Sequence, residues 1–350
     1  MTLTAPPSWI SFDDLPHTHG GPVVTGRMRE RPEDFQVDEI PICEPDGEGE
    51  HLLLHVRKIG ANTEWVARRL ASHAGLPVSK VGYAGLKDKY AVTSQWFTLY
   101  AGVHLDPDWS TLEAEGVEIL EVHRHGRKLR RGGLRGNRFR IRIRDLKGEM
   151  DLLDEWLDQV RRLGVPNYFG VQRFGNREGN LYAATALFAG EAKRVPRHKR
   201  GLWLSAARSQ LFNQVLAMRV ERGDWDRPLD GERMQLDRSR ASFLADAIDD
   251  ELIERCRAFD VHPSGPLWGA GEKLTSGEVA VLEERALEDF PLWTAGLAAA
   301  GLRQERRPLR LEMSAMDAVV TDDLLEIGFD LPAGAYATAA LRELVDWCQS

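Results

Sequence analysis

The stretch Val81–Gln95 reads VGYAGLKDKYAVTSQ. Apolar residues towards its two ends predict two strands, and the glycines between them permit a tight turn. The turn presents one carboxylate, Asp88, between Lys87 and Lys89. Because loops held by rigid strands often carry functional groups, Asp88 is a candidate catalytic residue. The alternative is an ordinary solvated aspartate.

The composition is that of a globular protein. The chain has 350 residues, of which 43% are hydrophobic and 29% are charged, which fits one large domain or two ordinary ones. The formal net charge is -8, so the overall charge gives no indication of a nucleic-acid partner. Any basic surface must therefore be local.

Cysteine spacing and hydropathy indicate the compartment. The three cysteines, Cys43, Cys256 and Cys348, form no CxxC pair, which predicts a reducing environment without a disulfide framework or a zinc ribbon. The first residues contain no basic segment followed by an apolar core, and the apolar runs are much shorter than a membrane span. We therefore expect a cytoplasmic protein with no membrane contact.

The segments before Asp88 predict strands and a helix. Strands are predicted at Val23–Met28, Glu33–Ile40 and His51–Ile59, and a helix begins after Asn62 and ends near His73. A strand, a helix and another strand in succession form a crossover unit. The first domain is therefore predicted to mix helix and sheet.

A basic segment follows at His123–Lys147, where eleven lysines and arginines stand against one acid, Asp145. Within it, Arg138–Arg144 (RFRIRIR) alternates strictly, which predicts a strand with one apolar face and one face of four arginines. Basic side chains that neutralise phosphates supply much of the affinity for nucleic acids. A phosphate-facing surface is therefore favoured over the alternative, an ordinary solvated face.

The remainder of the chain is predicted to contain helices, a long loop rich in Gly, Asn and Arg, and a strand near the end. Between Glu221 and Thr294, short strand-like and helical pieces alternate with many turn residues. The predicted elements are a helix at Asp151–Leu163, a loop at Gly164–Leu181, a basic run at Glu191–Arg200, a helix at Ser205–Val220, a strand at Leu325–Phe329 and a closing helix at Ala335–Cys348.

Several common cofactor motifs are absent from the sequence. No GxGxxG follows a strand, no GxxxxGK[ST] occurs, and neither HExxH nor a zinc deaminase signature is present. The ten histidines show no ligand spacing. We therefore expect an enzyme that works without a metal, nucleotide or redox cofactor.

Seven blocks, in order and over nearly the whole chain, resemble the TruD family of tRNA pseudouridine synthases. They are PEDFQVDEI (Pro32–Ile40), PDGEGEH (Pro45–His51), VGYAGLKDKYAVTSQWF (Val81–Phe97), GNRFRIRIR (Gly136–Arg144), GVPNYFGVQRFG (Gly164–Gly175), LSAARSQLFN (Leu204–Asn213) and LPAGAYATAALRELV (Leu331–Val345). The section from about Glu221 to Arg310 is poorly matched.

The resemblance implies an α+β fold. Its catalytic domain would have the pseudouridine synthase fold, a mixed sheet flanked by helices, and an α/β TRUD domain would be inserted into it. We place the discontinuous catalytic domain at residues 1–163 and 310–350, and the TRUD insertion domain at residues 164–309.

The resemblance also implies an activity, the conversion of the uridine at position 13 of certain tRNAs into pseudouridine without a cofactor. The expected partner is tRNA, and tRNA-Glu is the tRNA expected before others. The protein is expected to be a monomer with no obligate protein partner. The alternative is a non-catalytic tRNA-binding or RNA-folding protein on the same scaffold. A cofactor-dependent RNA methyltransferase is disfavoured because the glycine fingerprint is missing.

The family's catalytic aspartate carries over to Asp88, which would act as nucleophile or base. Arg29 is favoured as its cationic partner because guanidinium and carboxylate can pair in a bidentate way, with Lys87 as the alternative. Asn137 matches an asparagine that would bind the uracil edge or the aspartate.

Aromatic and basic residues complete the predicted site. Phe35, Phe139 and Phe329 match aromatic positions around the family's active site and would stack on the base, although core packing is the alternative for them. The residues predicted to bind RNA are Arg135, Arg138, Arg140, Arg142, Arg144, Arg173, Lys199 and Arg200.

Overall fold

The computed structural model describes residues 6–348, without the side chains of residues 113–115 and 348. Its strands are β1 (Val24–Met28), β2 (Phe35–Pro41), β3 (His51–Ile59), β4 (Val81–Tyr83), β5 (Val92–Tyr100), β6 (Val117–His125), β7 (Leu134–Gly148), β8 (Val165–Pro166), β9 (Arg233–Leu236), β10 (Ser242–Leu244), β11 (Val261–His262), β12 (Ser264–Leu267), β13 (Glu305–Pro308), β14 (Arg310–Leu311), β15 (Ser314–Thr321), β16 (Leu324–Pro332) and β17 (Val345–Cys348).

The helices in the same range are α1 (Thr63–His73), α2 (Met150–Leu163), α3 (Gly179–Phe188), α4 (Arg197–Glu221), α5 (Asp250–Arg257), α6 (Gly277–Ala286), α7 (Pro291–Ala299) and α8 (Ala337–Leu341). Among the residues described, none of these helices has both the length and the apolar character needed to cross a membrane.

The chain divides into two compact units. Among the described residues, the sheet unit comprises Val24–Met150, Met313–Gly334 and Val345–Cys348, and the helical unit comprises residues 6–23, Asp151–Glu312 and Ala335–Leu344. This division begins the helical unit at residue 151, whereas the predicted domain boundary follows residue 163. The assignment of a catalytic and a TRUD domain to particular residues remains a prediction.

The sheet unit is built on one mixed sheet, and it bears out the α+β fold class. Its main strand order is β15-β16-β7-β2-β5-β3-β6, in which β2 and β5 are parallel and the other neighbours are antiparallel. β4 pairs with β5, and β1 pairs with both β7 and β17. The helix α1 joins β3 to β4, so the predicted strand–helix–strand unit is confirmed.

The two faces of this sheet have different surroundings. On the inner face, Leu54 and Val56 of β3 pack with Phe97 of β5 and with Val66 and Leu70 of α1. Strand alternation and register place the apolar residues of β2, β7 and β16 on this same face. The opposite side, the outer face, carries the arginines of β7.

The helical unit has a core of its own around α4. Leu211, Phe212 and Val215 of this helix lie in one buried cluster with Trp293 and Leu297 of α7. The predicted helix Ser205–Val220 is confirmed, but it starts earlier because part of the second basic run forms its first turn.

The predicted closing helix is wrong. The helix α8 covers only Ala337–Leu341, and Val345–Cys348 form the strand β17, parallel to β1. Helical spacing in this short apolar segment was ambiguous, because a buried strand is equally apolar. Pairing with the free edge of β1, which the local pattern does not reveal, decides in favour of the strand.

Candidate active site

The loop that carries Asp88 runs from the end of β4 to the start of β5 and is tied at several points. The backbone N–H of Lys87 donates to Thr63 Oγ1 over 2.9 Å, and Gln95 Nε2 donates to the carbonyl of Gly85 over 3.3 Å. The carbonyl of Ala84 accepts from the N–H of Gly132 over 2.8 Å. The loop is therefore held by α1, by β5 and by the segment before β7.

Gly82 is needed in β4 for a steric reason. A Cβ atom at this position would lie 2.5 Å from the carbonyl oxygen of Leu129. The strand before the Asp88 loop can therefore approach its neighbouring segment only because it lacks a side chain there.

Asp88 is paired with Arg29. Arg29 Nη1 donates to Asp88 Oδ2 over 2.9 Å, and the two side chains are 33% and 35% exposed. The other carboxylate oxygen accepts from the N–H of Tyr90 over 3.1 Å. Arg29 also lies over the Phe35 ring, with 4.0 Å between its Cζ and the ring centroid. Its φ of 63° is in the left-handed region, which is uncommon for a residue with a side chain and often marks functional sites.

Lys87 makes different contacts from Arg29. Its Nζ lies 3.3 Å from Glu39 Oε2 and donates a hydrogen bond to Asn137 Oδ1. The Lys87 and Glu39 side chains are 6% and 1% exposed. Burial raises the pKa of Glu39 and lowers that of Lys87, and each partner's charge opposes these shifts. Lys87 thus contacts Glu39 and Asn137, whereas Arg29 is the cation that contacts the Asp88 carboxylate.

The three predicted aromatic residues lie next to one another on the inner face. The rings of Phe35 and Phe139 meet edge to face with 6.1 Å between centroids, and those of Phe139 and Phe329 are stacked at 5.4 Å. All three are buried, with at most 7% exposed. Burial is compatible with core packing, and the contact of Phe35 with Arg29 links this row to Asp88.

Sequence reasoning missed Lys58. This lysine lies on the inner face of β3, is 1% exposed, and donates from Nζ to the backbone carbonyl of Asp88 over 2.7 Å. Burial lowers its pKa to about 8, although the charge of Asp88 opposes the shift. A signal was present in the sequence, since alternation in His51–Ile59 places a lysine on the same face as Leu54 and Val56.

The arginines of β7 lie on the outer face, opposite the Phe35 row. The segment His123–Lys147 contains one acid, Asp145, but other parts of the sheet unit place further acids next to the arginines of β7. The ion pairs are Arg138 with Asp330 at 2.8 Å, Arg140 with Glu326 at 2.8 Å, Arg142 with Glu326 at 2.7 Å and Arg144 with Asp34 at 2.7 Å. The premise that few acids surround these arginines is wrong, because β16 and the turn before β2 supply them.

The other residues predicted to bind RNA lie in both units. Arg135 is exposed at the start of β7 in the sheet unit, whereas Lys199 and Arg200 are exposed in the first turn of α4 in the helical unit. Arg173, also in the helical unit, donates to Ser205 Oγ over 3.0 Å and lies 5.4 Å from the Phe169 ring centroid. Their RNA contacts remain predictions.

Within the part of the chain that the structure describes, no group of three or more His, Cys, Asp or Glu side chains is arranged to hold a metal ion.

The chain matches known proteins along most of its length. The family model for tRNA pseudouridine synthase D (TruD) matches residues 16–194 and 180–344. The tRNA pseudouridine synthase D of Methylococcus capsulatus is 49% identical over 346 residues, which cover 99% of this chain and 98% of that protein. The protein of the same name from Xanthomonas campestris is 48% identical over 347 residues, with coverage of 95% and 94%.

A solved structure shows the same fold. The crystal structure assigned to tRNA pseudouridine synthase D (TruD) from Methanosarcina mazei has a TM-score of 0.72 and 20% identity. The match covers 94% of this chain and 95% of that one. From the family match and the relatives together, this chain belongs to the TruD family of tRNA pseudouridine synthases.

Proposed function

We propose that the protein isomerises uridine to pseudouridine at position 13 of tRNA, with Asp88 as nucleophile or base and without a cofactor. Family membership supports the reaction class, and the Arg29–Asp88 ion pair on a tethered loop is the observation that carries the site. tRNA-Glu is the first substrate to try. We also expect the protein to act as a monomer in the cytoplasm.

The reaction breaks the N-glycosidic bond, turns the uracil over, rejoins it to the sugar through C5 and releases the C5 proton. These steps need neither net oxidation nor transfer of a group to another molecule. An ionised carboxylate can attack as a nucleophile or accept a proton. Asp88 is well placed for either role, because its loop is held by hydrogen bonds while its side chain remains about one-third exposed.

Arg29 would direct this carboxylate and balance its charge. When substrate excludes water, a cation in hydrogen-bond contact offsets part of the cost of removing the carboxylate from water. The Phe35 ring beneath the guanidinium restricts where Arg29 can move.

The target base has to leave its stack before it can react, at a cost of a few kcal/mol. Aromatic faces can offset this by about 1–3 kcal/mol for each stacked base. Phe35 is the best placed of the three phenylalanines for this purpose, because it already contacts the partner of Asp88. Asn137, held by Lys87, would bind the uracil edge.

The competing function is a tRNA-binding or RNA-folding protein that has no catalytic activity. A pure binder would have no use for an exposed carboxylate held by an arginine in the left-handed region. The arrangement around Asp88 therefore favours a catalytic function over tRNA binding or RNA folding alone.

The test is carbodiimide labelling followed by primer extension on an unmodified tRNA-Glu transcript, with no added cofactor. We expect the wild-type protein to produce a new stop that reports position 13, and Asp88→Asn to produce none while still binding the transcript. Asp38→Asn is the matched control, because Asp38 lies on the outer face against Ser94. Binding by wild-type protein without a stop would instead support the non-catalytic function.

A further inference from the structure

Lys58 is a buried cation to which the reaction above assigns no role. It shares the inner face of β3 with Leu54 and Val56 and is 1% exposed. Its Nζ donates a 2.7 Å hydrogen bond to the backbone carbonyl of Asp88. Because burial of a charge among apolar side chains is unfavourable, a lysine here requires a reason beyond packing.

The other hydrogen bonds to the backbone of the Asp88 loop come from uncharged groups. Thr63 accepts from the N–H of Lys87, Gln95 donates to the carbonyl of Gly85, and the N–H of Gly132 donates to the carbonyl of Ala84. Among the backbone hydrogen bonds described for this loop, the one from Lys58 comes from a charged side chain and acts on Asp88. A hydrogen bond to the carbonyl of a residue restricts rotation of its backbone and so limits where its side chain can point.

The charges around Lys58 come from the same loop. Asp88 favours the ammonium form, and Lys87 disfavours it. The residues opposite Lys58 on β5 and β6 are Thr93 and Val117, which are uncharged. With its pKa lowered to about 8, Lys58 is still largely protonated at neutral pH.

We propose that Lys58 is a positioning residue for the reacting carboxylate. It fixes the Asp88 carbonyl and thereby the direction of the Asp88 side chain. The inference rests on the proposed function, in which Asp88 reacts with uridine in tRNA. It adds to Arg29 a second cation, one that acts from beneath the loop.

The experiment measures kcat and KM on an unmodified tRNA-Glu transcript at pH 7. It compares wild type with Lys58→Met, which removes donor and charge, and with Lys58→Gln, which keeps an amide donor. Arg57→Met is the matched control. Arg57 precedes Lys58 on β3, but its side chain lies on the outer face and pairs with Glu118 at 3.0 Å.

We expect Lys58→Met to lower kcat by about 10- to 100-fold, since small misplacements of a reacting group have effects of this size. KM should change less than about threefold, because Lys58 contacts the loop and is buried beneath it. Lys58→Gln should fall between wild type and Lys58→Met.

A purely structural lysine would not lower kcat in a folded variant that keeps the wild-type KM, so the split between kcat and KM separates the two roles. The proposal is overturned if Lys58→Met and Lys58→Gln, both folded by thermal unfolding, keep the wild-type kcat. It is also overturned if Arg57→Met loses as much activity as they do. A wild-type protein that produces no pseudouridine would overturn the proposed function, and the role of Lys58 with it.

Discussion

Arg29 and Asp88 lie 59 positions apart in sequence and are joined by a 2.9 Å hydrogen bond between Nη1 and Oδ2. The arginine adopts a left-handed backbone conformation and stacks on Phe35. The turn after β1 and the loop after β4 thus contribute the two halves of one ion pair. Because both side chains are about one-third exposed, the pair is accessible to a substrate.

Substitution of Arg29 should affect the chemical step more than tRNA binding. A hydrogen bond to a charged group contributes about 1.5–3 kcal/mol, so Arg29→Met should lower kcat by about 10- to 100-fold. Arg29→Lys should retain more activity. Single-turnover rates of pseudouridine formation measure this effect.

The control for that experiment is Arg27→Met. Arg27 lies two residues earlier on β1 and pairs with Glu30 at 2.9 Å, away from Asp88. Equal rates for Arg29→Met and wild type would show that the ion pair does not contribute to the reaction.

Removal of Lys87 should destabilise the fold. Lys87→Met would leave the Glu39 carboxylate buried without its cation, which typically lowers the free energy of unfolding by about 3–5 kcal/mol. The double variant Lys87→Met/Glu39→Gln should recover most of this loss. Urea unfolding at pH 7 measures both.

The loss of stability caused by Lys87→Met should vary with pH in a defined direction. Burial raises the pKa of Glu39, so the folded state takes up a proton more readily than the unfolded state as the pH falls. The deficit of Lys87→Met should therefore be smaller at pH 5 than at pH 8. A deficit that grows towards pH 5 would contradict the assignment of Glu39 as its source.

Glu326 offers a direct test of the arginines on the outer face. This carboxylate binds both Arg140 and Arg142. If these arginines bind RNA as predicted, phosphates compete with Glu326 for them. Glu326→Gln should then strengthen tRNA binding and steepen the salt dependence of the binding constant.

The measurement is the slope of log K against log salt for wild type, Glu326→Gln and Arg140→Glu. Arg140→Glu should bind more weakly. Its plot of log K against log salt should be less steep by about one unit, which corresponds to the loss of one phosphate contact. Identical slopes for all three would place the phosphate contacts elsewhere, with Arg135, Arg173, Lys199 and Arg200 the next residues to substitute.

Lys58 should reduce stability at neutral pH. Its pKa is lowered from 10.5 to about 8, so below pH 8 both the folded and the unfolded state carry the charge and the folded state is penalised for burying it. Lys58→Met should raise the free energy of unfolding at pH 7 by about 1–3 kcal/mol. The gain should shrink as the pH rises from 8 towards 10.5, where wild-type Lys58 is neutral in both states.

Urea midpoints at pH 7 and pH 10 test this, with Arg57→Met as the control on the same strand. Together with a lower kcat, a more stable Lys58→Met would mean that stability is sacrificed for activity at this position. A destabilised variant at pH 7 would instead mean that the lysine supports the fold.

Many of the local elements, and the family, could be predicted from the sequence. Strict alternation in Arg138–Arg144 was enough to place Phe139 on a different face from the arginines, and the spacing after Asn62 located α1. Such patterns are readable because side-chain direction within one strand or helix depends only on its own periodicity. The order of the seven blocks was sufficient to identify the TruD family, and the family match bears this out.

Which side chains are in contact follows from the tertiary structure. The choice of Arg29 over Lys87 as the partner of Asp88, the hydrogen bond from Lys58, and the acids opposite the β7 arginines each involve segments distant in sequence. The strand at Val345–Cys348 likewise depends on an edge supplied by β1. Periodicity specifies the face on which a residue lies, but its partner there is set by strand order and register, which depend on how distant segments pack.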